Sequence, residues 1–256
     1  MRARLTISML FACASACAAC GSGGGSNSDG MVNVQAGAFW MGCNDFVDTD
    51  CLDYELPYHQ VELDAYSIDQ TEVTQAQYSA CVEAGECTEP DCNWNPRAKG
   101  DHPVVCVTWQ QAEVFCSWAE KRLCTEAEWE KAARGTDGCL YPWGNGQADC
   151  DLAVIREADV TCQYAGSQAV GSLPAGKSPC GVLDMAGNVL EWVADWFATD
   201  YYAESPPENP KGPHDGESRV MRGGSFQASA RFVRASYRAQ ADPAFGYHDL
   251  GLRCCR

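Results

Sequence analysis

Several residues near the C-terminal end of the chain are of types that bind anions. They lie in an otherwise acidic chain at Arg222, Ser225, Arg231, Arg234, Tyr237, Arg238 and Arg253. Guanidinium groups bind carboxylates and phosphates through paired hydrogen bonds. We therefore treat Ser225, Arg222, Tyr237 and Arg238 as candidates for a groove that takes an anionic ligand or an acidic peptide. Internal pairing with the chain's own carboxylates is the alternative.

Cysteine is the second residue type that could do chemistry in this chain. Fourteen cysteines follow residue 20. They are Cys43, Cys51, Cys81, Cys87, Cys92, Cys106, Cys116, Cys124, Cys139, Cys150, Cys162, Cys180, Cys254 and Cys255. No pair of cysteines separated by two residues recurs at zinc-finger spacing, which argues against a structural zinc site. An even number of cysteines predicts disulfides if the chain is exported to an oxidising compartment, and the spacing leaves their connectivity open. Only close pairs such as Cys43 with Cys51 and Cys81 with Cys87 suggest local bridges.

The N-terminal region is typical of an export signal over residues 1–20, with a positively charged start, a short apolar stretch and small residues. Two alanines, Cys20 and a Gly/Ser-rich run then resemble a bacterial lipoprotein cleavage site. This predicts lipidation at Cys20 and a flexible tether over residues 21–30. Cys17 is the second choice, and an ordinary cleaved signal is the alternative. Both predict export to the periplasm or cell surface, with a lipid anchor as the expected contact with a membrane.

Composition limits the partners and the class of fold. The formal net charge of −17 at pH 7 would repel nucleic acid and anionic membranes. Hydrophobic residues make up 46% of the chain and include eight tryptophans, which predicts a folded domain. The 24 glycines and 12 prolines favour a loop-rich fold over a helix bundle.

Local patterns place the first regular elements. Short β-like stretches near residues 32–34, 37–42 and 61–63 open the domain. Three capping boxes then predict helix starts, at Thr74 with Gln77, Thr108 with Gln111 and Thr125 with Glu128. The third helix is expected to end at Gly135. Beyond residue 141 the density of Gly and Pro predicts mostly turn and loop.

The ordered motifs along residues 31–256 resemble the formylglycine-generating-enzyme, or sulfatase-modifying-factor, family. They are EVT with QY at 72–78, HPVVCVTW at 102–109, KRLCTEAEWEKAARG at 121–135, YPWGN at 141–145, LDMAGNVLEW at 183–192, RGGSF at 222–226 and GLRC at 251–254. The resemblance implies one α+β domain over residues 31–256. It would have the family's irregular, loop-rich, C-type-lectin-like fold, stabilised by disulfides and calcium.

The resemblance also locates a copper site that this chain lacks. Enzymes of the family hold Cu(I) with two cysteines, five residues apart, just after the Gly-Gly-Ser motif. The corresponding positions are Ala228 and Val233, and no cysteine lies between Cys180 and Cys254. Because Cu(I) requires soft thiolate ligands, we expect no copper cofactor here.

Two further sites follow from the resemblance. Asp184, Gly187, Val189 and Glu191 match a family calcium site built from two carboxylates and two backbone carbonyls, and calcium prefers such hard oxygens. The alternative is that the two carboxylates cap the turn and pair with arginines. Cys116 and Cys254 match a family disulfide. A second calcium site would fall in residues 150–164, where Asp151 and Asp159 are candidate carboxylates and Cys162 occupies an acid position.

No catalytic residue is assigned from the sequence. Ser/His/Asp order, phosphate-binding loops and dinucleotide fingerprints are absent, which leaves His248 and Tyr247 as isolated acid–base candidates. The prediction is a non-oxidase binding or scaffold module for a peptide, protein or glycan. The alternative is an enzyme of the family with different chemistry, either an oxidase acting on a sulfatase or one acting on a small molecule.

Overall fold

The computed structural model describes residues 29–156, 162 and 164–256. The strands are β1 (Met31–Val34), β2 (Gly37–Met41), β3 (His59–Leu63), β4 (Tyr66–Asp69), β5 (Arg122–Leu123), β6 (Leu190–Trp196), β7 (Arg219–Arg222), β8 (Ala239–Ala241), β9 (Leu250–Leu252) and β10 (Cys254–Cys255). The helices are α1 (Gln75–Glu83), α2 (Trp109–Trp118), α3 (Glu126–Arg134) and α4 (Tyr201–Glu204). Long irregular segments connect these short elements, as the sequence predicts.

The strands form three sheets that pair distant parts of the chain. Their orders are β1-β4-β10-β5, β2-β3 and β8-β7-β6-β9. In the first sheet the C-terminal β10 pairs with both β4 and β5, so the end of the chain completes a sheet that its first strand begins. In the third sheet β9 runs parallel to β6 while β7 runs antiparallel to it. The mixed sheets and few helices agree with the α+β class.

All three predicted capping boxes are present. The side chains of Thr74, Thr108 and Thr125 each accept a hydrogen bond from the amide three residues later. The threonine amides donate back to Gln77, Gln111 and Glu128 at 2.8 Å. The third helix ends where predicted, at Gly135, whose φ of +69° suits glycine. These starts were predictable because each depends on only four consecutive residues.

Helix α3 is buried along its whole length although five of its nine residues are charged. It contacts β2 and β3 on one side and β6 and β7 on another. Ionised groups lose their hydration when they are buried, so they need partners inside the protein. The buried carboxylates of α3 therefore determine where the arginines of the C-terminal half must lie.

Six disulfides join cysteines that are both described. They are Cys43–Cys51, Cys81–Cys87, Cys92–Cys106, Cys116–Cys254, Cys124–Cys255 and Cys150–Cys162. Cys116–Cys254 is the bond that the family resemblance implies, and the two local bridges suggested by spacing are also present. Neighbouring cysteines of β10 thus connect to α2 and to the residue just before the cap of α3.

The expectation of turn and loop beyond residue 141 holds for most of that stretch but misses the sheet formed by β6 to β9. These strands are only three to seven residues long. β6 buries residues on both faces, as in Glu191-Trp192-Val193, so it lacks the alternating pattern that identifies a half-buried strand.

Candidate functional site

The turn after β7 positions Ser225 beside the start of β9. The Ser225 hydroxyl donates to Asp249 Oδ2 at 2.8 Å, and the Asp249 carbonyl accepts from Leu190 N at the start of β6. Gly224 lies at φ +70°, and a Cβ there would come within 2.4 Å of the Phe232 carbonyl oxygen. The Gly-Gly-Ser turn is therefore packed tightly against the segment that follows it.

Polar groups reach the surface next to this turn. The amide nitrogen of Gln227 lies 2.6 Å from His248 Nε2, and both residues are exposed. The ring of Phe226 meets the His248 ring edge to face, with centroids 6.2 Å apart. The exposed amide of Gln227 and imidazole of His248 thus lie beside the buried Ser225 hydroxyl and its partner Asp249.

The two positions that would carry copper ligands are apolar and well packed. Val233 is fully buried in a cluster with Tyr141, Ala153 and Ile155, and Ala228 packs against the same cluster. The Ala228 amide donates to Ser225 O at 2.8 Å, and its carbonyl accepts from Arg156 N at 2.9 Å. Neither side chain can ligate a metal, and both pack against apolar neighbours.

Arg222 and Arg238 are fully buried and bind carboxylates of α3. Arg238 donates to both oxygens of Glu126, at 2.6 and 2.9 Å. Arg222 donates to Glu130 and to the Ala235 carbonyl. Burial disfavours the ionised form of Glu130, but Arg222 and Arg134 outweigh this effect and hold its pKa below the usual value. For these two arginines the internal pairing foreseen as an alternative is present, and a role in ligand binding stays a prediction.

Tyr237 lies closer to the surface than the arginines. It is half-buried, and burial raises the pKa of its hydroxyl. Its ring meets that of Phe232 edge to face at a centroid distance of 5.3 Å, and Phe232 is partly exposed. Among the four predicted groove residues, Tyr237 is therefore the one that is not buried, whereas Ser225 is 3% exposed.

The predicted calcium region contains three buried or nearly buried carboxylates and one arginine. Both oxygens of Glu191 accept from Arg253 at 2.7 Å. Asp184 Oδ2 accepts from Gly171 N at 2.6 Å, and Glu72 accepts from the Asn188 side chain at 3.0 Å. Burial and the nearby Asp184 and Glu191 carboxylates raise the pKa of Glu72 well above its usual range. Burial also raises the pKa of Asp184.

The types of oxygen donor at these positions are those that calcium takes, and a bound calcium stays a prediction. The pairing of Glu191 with Arg253 and of Asp184 with the Gly171 amide matches the alternative reading of the two carboxylates. One arginine faces three carboxyl groups, so ionisation of all three would leave net negative charge there. Glu191 Oε1 accepts a single hydrogen bond among the described residues and so retains a lone pair. Outside the strand ladders, no described backbone amide donates to the carbonyls of Gly187 or Val189. Hard oxygens of both kinds are what Ca²⁺ takes as ligands.

The second family calcium site has less support. Cys162, at the acid position, forms a disulfide with Cys150 and so offers no ligand. Asp151 is exposed, and Asp159 lies outside the described residues. Among the described residues of 150–164, Asp151 is the carboxylate, and this second site stays a prediction.

Several residues that complete these regions were not singled out from the sequence. Glu72 opens the first family motif, two residues before the capping box of α1, and that motif was its available signal. Asp249 lies 24 residues from Ser225, and no sequence pattern links the two residues. The partners Glu126 and Glu130 lie about a hundred residues from their arginines, so only the fold identifies them.

The disulfides indicate an oxidising, exported environment. Within the part of the chain that is described, none of the helices is both long and apolar enough to cross a bilayer. The predicted signal, Cys20 and most of the tether lie outside the described residues. Lipid anchoring therefore stays a prediction.

Comparisons with known proteins agree with the fold and its motifs. The formylglycine-generating enzyme of Streptomyces coelicolor is 33% identical over 278 residues, covering 88% of each chain. Hercynine oxygenase of Mycolicibacterium smegmatis is 29% identical and covers 81% of this chain and 56% of that protein. The structure of PvdO from Pseudomonas aeruginosa aligns with a TM-score of 0.75 and 28% identity over 88% of this chain and 93% of that one. Residues 22–256 match the sulfatase-modifying factor enzyme 1-like domain, and the chain belongs to that family.

Proposed function

We propose that this chain is an exported, lipid-anchored binding or scaffold module of the family, which recognises a peptide, protein or glycan and does not act as a copper oxidase. The observation that carries the proposal is the pair Ala228 and Val233 at the positions of the copper thiolates. Val233 is buried in an apolar cluster, so a metal with its substrate thiol would have no donor there.

The surface beside these positions supports a binding role. Ser225 with Asp249 and Gln227 with His248 provide hydrogen-bond donors and acceptors near the partly exposed Phe232. Binding sites commonly combine a few fixed polar groups with aromatic surface. Tyr237 would contribute to the ligand contact, and Arg222 and Arg238 would support it from below through their ion pairs with α3.

Export and anchoring form the second part of the proposal. Cys20 would carry the lipid, residues 21–30 would act as the tether, and the domain would be held at the outer side of a membrane through that lipid alone. The strong negative charge supports exclusion of nucleic acid as a partner.

Calcium is the third part. Asp184, Gly187, Val189 and Glu191 would hold it, and the ion would offset the excess of carboxylates around Arg253. Its contribution would be structural, because it would connect the turn at 184–189 to the start of β6.

An enzyme with different chemistry is the second candidate. Two relatives carry the names of enzymes, formylglycine-generating enzyme and hercynine oxygenase. On this chain, exposed His248 beside Gln227 and the Ser225–Asp249 pair are groups that can move a proton. The proton acceptor and the substrate would then lie on the same surface as the proposed ligand.

Copper binding and oxygen consumption test the proposal. The purified full chain would be analysed for copper and calcium, and oxygen uptake would be followed with a cysteine-containing peptide. A double variant, Ala228→Cys with Val233→Cys, is the matched control because it restores both thiol positions. We expect about one calcium per chain, no copper and no thiol-dependent oxygen uptake in the natural chain. We expect copper binding only in the double variant.

Stoichiometric copper together with thiol-dependent oxygen uptake in the natural chain would overturn the proposal. Oxygen uptake without copper would instead favour the second candidate. Absence of calcium would remove that part of the proposal and leave the binding role intact.

A further inference from the structure

A long groove follows the outer face of α2, away from the Gly-Gly-Ser turn. Its volume is about 1180 Å³, and it is bounded by α2 on one side and by residues 63–66 and 209–211 on the other. Ser225, Ala228, Val233 and Tyr237 do not line it. The volume exceeds the usual range of about 300–1,000 Å³ for small-molecule pockets, so the groove suits an extended ligand.

Two tryptophans of α2 line the groove. Trp109 opens the helix and Trp118 closes it, so their Cα atoms are separated by about 13 Å along the helix axis. Trp118 is 38% exposed, which is high for so large an apolar side chain. Trp118 thus offers an exposed apolar surface at one end of α2, and the half-buried Trp109 lies at the other end.

The orientation of Trp109 is fixed before any ligand arrives. Its indole N–H donates to Val193 O at 2.8 Å. The Arg219 guanidinium stacks over its ring at 3.8 Å from the centroid and over the Trp196 ring at 3.5 Å. A stacked cation and a satisfied indole hydrogen bond hold the ring rigidly, and a rigid contact loses little entropy on binding.

The charges that line the groove are balanced, in contrast to those of the whole chain. Acidic and basic residues are equal in number, namely Asp64, Glu86, Glu113 and Glu128 against Lys121, Arg122, Lys211 and Arg256. Three of the basic residues are already paired, Lys121 with Asp69, Arg122 with Glu128 and Arg256 with Asp29. Neither a basic nor an acidic polymer is therefore selected by this lining, although the chain carries −17 overall.

Exposed hydrogen-bonding groups lie between the two tryptophans. Gln110 donates to Glu113 at 2.9 Å on the helix side, and Asn209 donates to Asp64 at 3.1 Å across the groove. Each pair has donors or acceptors left for a ligand hydroxyl. A ligand that matches this lining has apolar faces for the tryptophans, hydroxyl edges for these pairs and no net charge.

We infer that the α2 groove binds an uncharged oligosaccharide. The inference rests on the proposed binding role but gives it a second location and a ligand class. Sugar rings would stack on Trp118 and contact Trp109, while Gln110, Glu113 and Asn209 would bind hydroxyl groups. The site around Ser225 takes no part in this contact.

Titration of the purified full chain with uncharged oligosaccharides tests this inference. The panel would contain hexose, pentose and N-acetylhexosamine oligomers from disaccharide to hexasaccharide, and binding would be measured by calorimetry and tryptophan fluorescence. We expect a longer oligomer to bind better than its disaccharide and its affinity to be unchanged by added salt, because no charge pairing is involved. Trp118→Ala should weaken binding about tenfold or more.

Two further variants keep the test decisive. Glu113→Ala changes an exposed side chain, so it should weaken binding severalfold without affecting folding even if Trp118→Ala unfolds the protein. Phe46→Ala is the matched control, because it removes an aromatic ring that is 93% exposed outside the groove, and it should leave the affinity unchanged.

Failure of the whole panel to bind would overturn the inference, as would binding of a charged peptide in the groove instead of any sugar. Sugar binding that is lost in Tyr237→Ala but retained in the groove variants would also overturn it. That last outcome would support the proposed binding role at the surface around Ser225 and Tyr237. Failure of the groove inference can therefore be distinguished from failure of the proposed function.

Discussion

Arg253 and Glu191 form a buried bidentate ion pair, with the Nε and Nη2 groups of Arg253 each 2.7 Å from a Glu191 oxygen. Arg253 also donates to the carbonyls of Asp69 and Leu183, at 3.1 and 3.0 Å. One side chain near the C-terminus therefore connects β4, the 183–191 segment and β6. Glu191, one of the four residues predicted to bind calcium, is at the same time the partner of Arg253. Arg253 is the arginine that lies among the described carboxyl groups of Glu72, Asp184 and Glu191.

Loss of Arg253 should destabilise the fold strongly. Arg253→Leu would leave the Glu191 carboxylate buried without its cation, and breaking one side of a buried ion pair costs about 3–5 kcal/mol. Arg256→Ala is the control, because Arg256 is 53% exposed and its pair with Asp29 is worth about 0–1 kcal/mol. Denaturant unfolding of both variants measures the difference. Equal losses would show that the carboxylates do not depend on Arg253.

The two disulfides of β10 should be partly redundant for stability, so that loss of one costs less while the other remains. Cys116–Cys254 and Cys124–Cys255 close loops of 138 and 131 residues that nearly coincide. With one bridge intact, the other closes only the short loop through residues 116–124. Replacing either pair by alanine should therefore cost about 2–3 kcal/mol, whereas removing the second pair should cost about 5 kcal/mol more in the chain-entropy model.

Denaturant unfolding of the two double alanine variants and of the quadruple variant tests this coupling. Cys81→Ala with Cys87→Ala is the matched control, since its loop has a separation of 6 residues and lies apart from the others. Its cost should add to that of either β10 bridge. Simple additivity of the two β10 bridges would contradict the prediction.

Asp195 should make the stability decrease as the pH rises. It is 2% exposed, and burial, followed by the Glu126 carboxylate, raises its pKa from 3.8 to about 8. The folded state therefore binds a proton that the unfolded chain has released over most of that range. The contribution is complete below the unfolded pKa and is lost as the pH rises through about 8. The slope would reach at most about 1.4 kcal/mol per pH unit.

Asp195→Asn isolates this effect. The Asp195 oxygen accepts from Glu126 N at 2.8 Å, and an asparagine oxygen can accept the same hydrogen bond. Unfolding free energies of the natural chain and the variant would be measured from acid to mildly alkaline pH. The natural chain should lose stability relative to the variant as the pH rises. Parallel curves would show that Asp195 is ionised in the folded protein at neutral pH.

The sequence predicted local features better than distant contacts. The capping boxes at Thr74, Thr108 and Thr125 were correct because a few adjacent residues determine them. The partners of Arg222 and Arg238 were not predictable, because α3 brings Glu130 and Glu126 to them from 92 and 112 residues away.

In the candidate site, too, features that depend on local residue types were predictable and contacts between distant residues were not. The family motifs gave the apolar copper positions and the Cys116–Cys254 bond directly, since both depend on aligned residue types. The α2 groove was not foreseen, because residues 63–66, 109–118 and 209–211 meet only after folding. Trp109 and Trp118 did not indicate a groove in the sequence, since tryptophans on a helix are more often part of a core.

Gly187 provides a final prediction, because its position between two segments leaves no space for a side chain. Its φ is +79°, and a Cβ would lie 2.4 Å from the Val154 carbonyl oxygen. The same carbonyl accepts from Asn188 N at 2.9 Å, so it cannot move away without loss of that hydrogen bond.

Gly187→Ala should therefore cost about 3–5 kcal/mol, as expected for overpacking combined with backbone strain. Gly30→Ala is the matched control, because Gly30 has nearly the same φ, +75°, but no atom within 4 Å of an added Cβ. It should lose only the cost of a left-handed backbone, about 1–2 kcal/mol. Thermal and denaturant unfolding of the two variants compares them directly. If the losses were equal, backbone conformation alone would explain the glycine, and the close contact with Val154 would not limit this turn.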